Sequence, residues 1–188
     1  VHILLFLDQL RSSGRLRLDG VDEERMTFHD PCQIVRRGGV LQEPRNLLAQ
    51  VAPNFVEMTD HGKMNWCCGG GGGVSSNERA EGLRLKVFQR KKTQLDELGV
   101  DKLVSACANC RIMLEEGLEE YNMELPVIGL TELVAEHLVE DEREPAREDG
   151  HTDHDQDDLV EVGQVHLLVR VLLVVHLGHL VGDHALAA

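Results

Sequence analysis

Apolar residues recur at two spacings along this chain, and the alternation between them predicts its elements. Ile3, Leu4, Leu7, Leu10 and Leu16 fall at roughly helical intervals, with Gly14 near the end, so residues 3–18 read as an amphipathic helix. Met26-Thr27-Phe28 reads as a short strand, closed by His29-Asp30-Pro31. Pro44 opens a short helix through Leu47, Leu48 and Val51, because proline is tolerated in a first turn. Phe55-Val56-Glu57-Met58 reads as a second strand.

Ser75, Ser76 and Glu78 offer N-cap chemistry for a long helix reaching Leu98, with Gly99 as its stop. Leu83, Val87, Leu95 and Leu98 form its expected buried stripe, and Arg90-Lys91-Lys92 its expected solvated face. Lys102-Leu103-Val104-Ser105 is the third expected strand and Val127-Ile128 the last. Between and after them, helices are expected over 109–121 and 131–139. Strands alternating with helices in this way favour an α/β fold, a parallel or mostly parallel sheet with flanking helices.

Chemistry enters with the five cysteines. Cys32, Cys67, Cys68, Cys107 and Cys110 give the pattern Cys-x34-Cys-Cys-Gly-x37-Cys-x-x-Cys, and Cys68 runs straight into Gly69 to Gly73. Each cysteine cluster is expected to follow a strand. Ligands of open α/β sheets sit beyond the carboxyl ends of the strands, so cysteines far apart in sequence are expected to meet there. A glycine run lets backbone approach a bulky ligand closely, and its amides can donate to sulfur. Zinc prefers four tetrahedral ligands, so five thiolates leave one spare. Iron–sulfur clusters use thiolates tuned by hydrogen bonds to sulfur, and a helix opening near Cys110 adds a positive dipole end. A third reading, a metal-free thiol–disulfide site at Cys107 and Cys110, leaves the Cys-Cys-Gly stretch unexplained.

Composition narrows the partners. With 188 residues and 42% apolar content, one domain with a real core is expected. The net charge of −14 argues against nucleic acid or an anionic membrane surface as a direct partner. The chain shows no secretory signal pattern and no clean run of about 18 apolar residues, so a cytoplasmic protein without a membrane span is expected. Residues 141–188 follow another grammar. An Asp/His run gives way to Val, Leu, His and Gly, and six of the ten histidines lie there, His176 and His179 among them. This stretch is expected to be an appendage to a domain over 1–140.

The motifs His29-Asp30-Pro31-Cys32, Trp66-Cys67-Cys68-Gly69-Gly70-Gly71 and Ala106-Cys107-Ala108-Asn109-Cys110 resemble those of the cysteine-rich CCG domain. That domain occurs in heterodisulfide reductase B/D-type subunits and in iron–sulfur subunits of glycolate, lactate and glycerol-3-phosphate oxidation. The resemblance implies an iron–sulfur redox protein that reduces a disulfide or relays electrons in a larger oxidoreductase complex. It implies a non-cubane [4Fe-4S] centre with Cys32, Cys67, Cys68, Cys107 and Cys110 as ligands, and Gly69 and Gly70 beside it. Implied partners are a ferredoxin-like module, a flavoprotein or a membrane cytochrome subunit, which would place the protein peripherally at the membrane. Family members usually carry two such halves, often with a ferredoxin-like module, so this chain resembles the C-terminal half of a larger protein. His29 is a candidate proton donor to a leaving thiolate, or else a strand-end cap. Trp66 is expected to shield the centre or to sit in the core. The alternative to all of this is a zinc-stabilised interaction domain without catalysis.

Overall fold

The computed structural model describes residues 2–139, and the predicted tail lies outside the described residues. Val1–His137 make up one unit of the chain. Its elements in order are α1 (Ile3–Ser12), β1 (Met26–His29), α2 (Glu43–Val51), α3 (Glu81–Leu98), β2 (Lys102–Ser105), α4 (Ala108–Glu120), β3 (Val127–Gly129) and α5 (Leu130–Glu136). The three strands form a parallel sheet in the order β1-β2-β3. Helix α1 packs on α2 and α2 on α5, while α3 packs on α4. Strand β1 is buried along its whole length, with Met26 and Phe28 among the core residues. A parallel sheet covered by helices has no solvent face to spend on polar residues, which is why these strands read as short apolar runs.

Helix α1 ends at Ser12, short of the expected 18, and Gly14 turns the chain there at φ +73°. Three further expectations fail. The strand expected over residues 55–58 does not form. The segment runs beside β1 and makes a single bond to it there, Val56 N–H to the Met26 carbonyl at 2.8 Å. Glu57 is drawn instead into an ion pair with Arg45 on α2, and the Met58 carbonyl lies 2.7 Å from the His61 ring. The Cys67-Cys68 pair therefore follows a loop and a short turn at Gly62–Met64, not a strand.

The long helix also starts later than its cap chemistry suggests. Ser75 and Ser76 belong to a short turn over Gly71–Ser76, in which Gly72 and Gly73 take positive φ of 65° and 80°. Asn77 then turns extended and caps the next turn, accepting from Arg79 N–H at 3.1 Å. Only at Glu81 does α3 begin.

The third departure is the buried stripe of α3, which is Arg84, Phe88, Lys91, Gln94 and Leu95, one residue out of phase with the expected one. Leu83 is exposed, Val87 and Leu98 are half-buried, and Lys91, expected in water, is fully buried. The cause lies on α4. A Cβ at Gly117 would come within 2.3 Å of the Phe88 ring, so the missing side chain is the seat for that ring. Phe88 stacks on Tyr121 with centroids 5.9 Å apart. This lock sets the rotation of α3 and carries Lys91 inward with it.

Candidate metal centre

In the parallel register His29 pairs with Ser105 and Ser105 with Gly129, so the three carboxyl ends lie along one edge of the sheet. Cys32 follows β1 by three residues, as the start of a π-helical turn over Gln33–Arg37. Cys107 follows β2 by two and is the N-cap of α4, with Cys110 in its first turn. Cys67 and Cys68 arrive from the long loop.

All five cysteines are free thiols. Cys68 and Cys110 are buried with their sulfurs 3.4 Å apart, and both belong to the core cluster of Met58, Phe88, Met113 and Leu114. The Cys32, Cys67 and Cys107 side chains are half-exposed. Cys67 interacts with Cys68 and feels the charge of Cys32, while Cys107 interacts with Cys110. Cys68 and Cys110 thus form a floor with Cys67 and Cys107 beside them, while Cys32, on the turn after β1, reaches the group through its charge on Cys67.

The sulfurs perturb one another strongly. A thiol donor from Cys110 and then one from Cys67 hold Cys68 far towards the thiolate, against the cost of burial. Cys110 is driven the other way, first by Cys107, then by Cys68 and burial. Cys67 is raised by Cys68 and then by burial. The Cys107 thiol is lowered to about 6, first by Cys110 and then, against burial, by the first-turn amides of Cys110 and Asn109. Crowded thiols that cannot all ionise alone are what a metal or cluster relieves, because it binds thiolates and displaces their protons.

Gly69 and Gly70 lie against the neighbouring sulfurs and α4. Gly69, at φ +94°, points its amide at the Cys67 sulfur, 3.3 Å away. The Gly70 amide favours the Cys68 thiolate. A Cβ at Gly70 would lie 2.5 Å from Met113 Cγ and 2.8 Å from Asn109 Nδ2, so only glycine lets the loop lie this close to α4. Asn109 Nδ2–H closes the contact by donating to the Gly70 carbonyl at 3.2 Å.

His29 is 1% exposed, and neither ring nitrogen has an oxygen or nitrogen partner. It offers a ring nitrogen within 4.8 Å of the sulfurs of Cys68 and Cys110. Burial lowers its pKa while the Cys68 sulfur opposes that, so the imidazole at the floor of the site is neutral. It is not a strand-end cap in water; it faces the thiols.

Several positioning residues had no periodicity to reveal them. Asp30, between His29 and Cys32, is buried and accepts both terminal guanidinium nitrogens of Arg45, at 2.8 and 2.7 Å. It also accepts Gly62 N–H at 2.6 Å, and its backbone carbonyl accepts from the Asn65 side chain. Arg36 donates to the carbonyls of Lys63 and Asn65 at 2.9 and 2.6 Å. Both clamps tie the Cys32 arm to the Cys67 arm. Trp66 is not in the core. It is 39% exposed, donates Nε1–H to the Val87 carbonyl at 2.8 Å and lies under Arg90.

The donor set fits a thiolate-bound iron–sulfur centre: five free sulfurs at one edge, amides aimed at sulfur, and a backbone cradle that a Cβ would fill.

Comparison with known proteins agrees with this chemistry. The chain is 32% identical over 139 residues to the D-type subunit of the dihydromethanophenazine:CoB–CoM heterodisulfide reductase of Methanosarcina barkeri, covering 73% of this chain and 34% of that one. It is 30% identical over 147 residues to the Hdr-like menaquinol oxidoreductase iron-sulfur subunit 2 of Archaeoglobus fulgidus, covering 74% and 26%. A third relative is a subunit of the fumarate reductase (CoM/CoB) of Methanothermobacter marburgensis, 37% identical over 114 residues, covering 58% and 22%. The chain thus spans about a third or less of the length of these relatives. Residues 26–115, which hold all five cysteines, match the model of the CCG cysteine-rich domain family.

Proposed function

We propose that residues 1–140 form the cysteine-rich half of an iron–sulfur redox subunit. Cys32, Cys67, Cys68, Cys107 and Cys110 would hold the centre, with Gly69 and Gly70 presenting amides to its sulfurs. The observation that carries the reading is the 3.4 Å contact of the free Cys68 and Cys110 thiols beyond the carboxyl edge of the sheet, and it is supported by Cys67 and Cys107 interacting with them. An iron–sulfur centre supplies one-electron transfer and a place where a disulfide sulfur can bind. The chain's own part is to gather the thiolates, to orient them by the Asp30 and Arg36 clamps, and to keep a neutral His29 beside Cys68. That imidazole can take the proton of an incoming thiol and return it to a departing thiolate.

The relatives are subunits of larger oxidoreductases, which supports other redox subunits as the source and sink of electrons. A ferredoxin-like module, a flavoprotein or a membrane cytochrome subunit fits that place, with a disulfide or thiol as substrate. Among the described residues no helix is long and apolar enough to cross a membrane. A cytoplasmic position, peripheral to the membrane through partner subunits, agrees with that.

Anaerobic purification followed by iron and acid-labile sulfide analysis tests the proposal. Iron and sulfide in a ratio near one are expected, and an EPR signal that changes on adding a thiol would separate disulfide chemistry from electron relay. A colourless protein with zinc and no sulfide would overturn it. One observation favours that zinc reading: His29, Cys68 and Cys110 alone place three donor atoms within 4.8 Å of one another.

A further inference from the structure

Lys91 is a charged side chain of the core that no ion pair among the described residues accounts for. It is fully buried on α3, one turn from Phe88 and Leu95, and its ammonium rests on the Met58 thioether, 3.4 Å from Nζ. A thioether is a weak acceptor. A buried ammonium is costly unless an opposite charge compensates it.

The nearby carboxylates are already committed. Asp30 is taken by both terminal nitrogens of Arg45 and by Gly62 N–H. Asp60 is taken by Arg90 at 2.5 and 3.0 Å and by the Gln94 amide at 2.6 Å. Cys68, Cys67 and the His29 ring also lie within electrostatic reach of Lys91. Met58, on which Nζ rests, shares the core cluster with Cys68 and Cys110. The ammonium therefore lies on the protein side of the thiolate edge, where water cannot screen it.

We infer that Lys91 is a fixed counter-charge to the thiolate centre, a positioning residue that stabilises the more negative, reduced state and so raises the reduction potential. The inference rests on the proposed thiolate-bound centre. One-electron reduction by an external donor adds one negative charge at the sulfurs and moves no atom of the lysine; the ammonium responds by charge alone. Burial pushes the Lys91 pKa down to about 8, which leaves it a cation at neutral pH.

The test is an EPR-monitored reductive titration with dithionite of the anaerobically prepared full chain. The wild type is compared with Lys91→Met, Lys91→Gln and Lys91→Arg. A unit charge acting through about 10 Å of protein at an effective dielectric of about 20 is worth about one decade in such an equilibrium. Lys91→Met and Lys91→Gln are therefore expected to disfavour reduction about tenfold, a fall of about 59 mV, while Lys91→Arg stays near wild type. Methionine fills a similar volume without charge, so Lys91→Met is expected to fold, and Lys91→Gln is the second neutral variant should it not. Unchanged potentials in the neutral variants, or an equal fall in Lys91→Arg, overturn the inference.

Failure of the iron–sulfur reading is visible separately, as zinc without sulfide in the wild type. In that case the same counter-charge is read from metal affinity, since binding Co(II) with loss of thiol protons also makes the site more negative. Lys91→Met is then expected to weaken Co(II) binding at least tenfold, and equal affinities overturn the inference.

Discussion

Replacing Arg45 tests whether the two arms of the site are joined by the Asp30 network. The Asp30 side chain is 0% exposed and that of Arg45 13%, so the pair is buried, while Glu57 at 31% is half in water. Arg45→Met keeps the apolar length of the side chain but removes both contacts to Asp30, both to Glu57 and the one to the Leu41 carbonyl. Glu57 can return to water at little cost, typically below about 1 kcal/mol. Asp30 cannot, and keeps only Gly62 N–H. Breaking a buried pair by removing one partner costs about 3–5 kcal/mol, because the other charge stays behind. Arg45→Met should therefore lose about 4 kcal/mol, a large share of a stability of about 5–15 kcal/mol. In an Asp30→Asn background no charge is stranded, and the same substitution should cost about 1 kcal/mol, the worth of an ordinary hydrogen bond. Urea unfolding of the anaerobic metal-free protein measures both. Trp66, the chain's only tryptophan and the neighbour of Cys67, reports the site loop, and far-UV circular dichroism reports the fold. Equal losses in the two backgrounds would refute the buried-pair account, as would a loss under about 1 kcal/mol in the wild-type background.

Three further outcomes follow from single contacts. Gly117→Ala puts a methyl 2.3 Å from the Phe88 ring, so it should cost about 1–3 kcal/mol as overpacking, read as a lower urea midpoint. Gly70→Ala collides with Met113 and Asn109 at the loop rather than in the helix interface. It should leave the fold standing, by circular dichroism, while metal or iron content per chain drops by half or more. The Cys107 thiol has its pKa lowered to about 6 from 9.0 in the folded state. Its contribution to folding is thus fully present above about pH 9 and lost as pH falls through about 6. In the metal-free protein its iodoacetamide labelling, followed by peptide mass spectrometry, should rise with a midpoint near pH 6 and precede that of Cys67 and Cys110.

Much of this was legible in the chain because short parallel strands announce themselves. Residues 26–28, 102–105 and 127–128 are apolar runs that end just where chemistry begins, and their order alone places Cys32 and Cys107 at one edge. Residues 55–58 mislead because their pattern is also strand-like. A pattern cannot say that Glu57 will be claimed by Arg45 and so break the ladder. The phase of α3 misleads for a related reason. Leu83 and Val87 look like its core, but a helix turns by about 100° per residue, and Phe88 seated on Gly117 wins the contest for the interior. That contest is between two helices with a strand between them in the chain, so no window of sequence contains both halves of the decision. Lys91 becomes buried as its by-product. Asp30 was visible as part of a motif, but its partners Arg45, Gly62 and Asn65 are chosen by the fold.

The site divides into a floor and a rim, and the division bears on which step the chain controls. Cys68, Cys110 and His29 are held by the core: Met113 and Leu114 come from α4, Phe88 from α3, and the sheet carries His29. Nothing at the floor can move without opening the interior, and close-packed cores resist that. Cys32, Cys67 and Cys107 are half-exposed and sit on a turn, a loop and a helix cap. Their positions depend on polar clamps, which can lengthen at lower cost. On the proposed reading, a disulfide or thiol substrate would approach from the rim, where a half-exposed cysteine can shift. The buried Lys91 and the neutral imidazole act from beneath. Charge is tuned on one side of the centre and access on the other, so substitutions at the clamps should change substrate binding before potential, and substitutions at the floor the reverse.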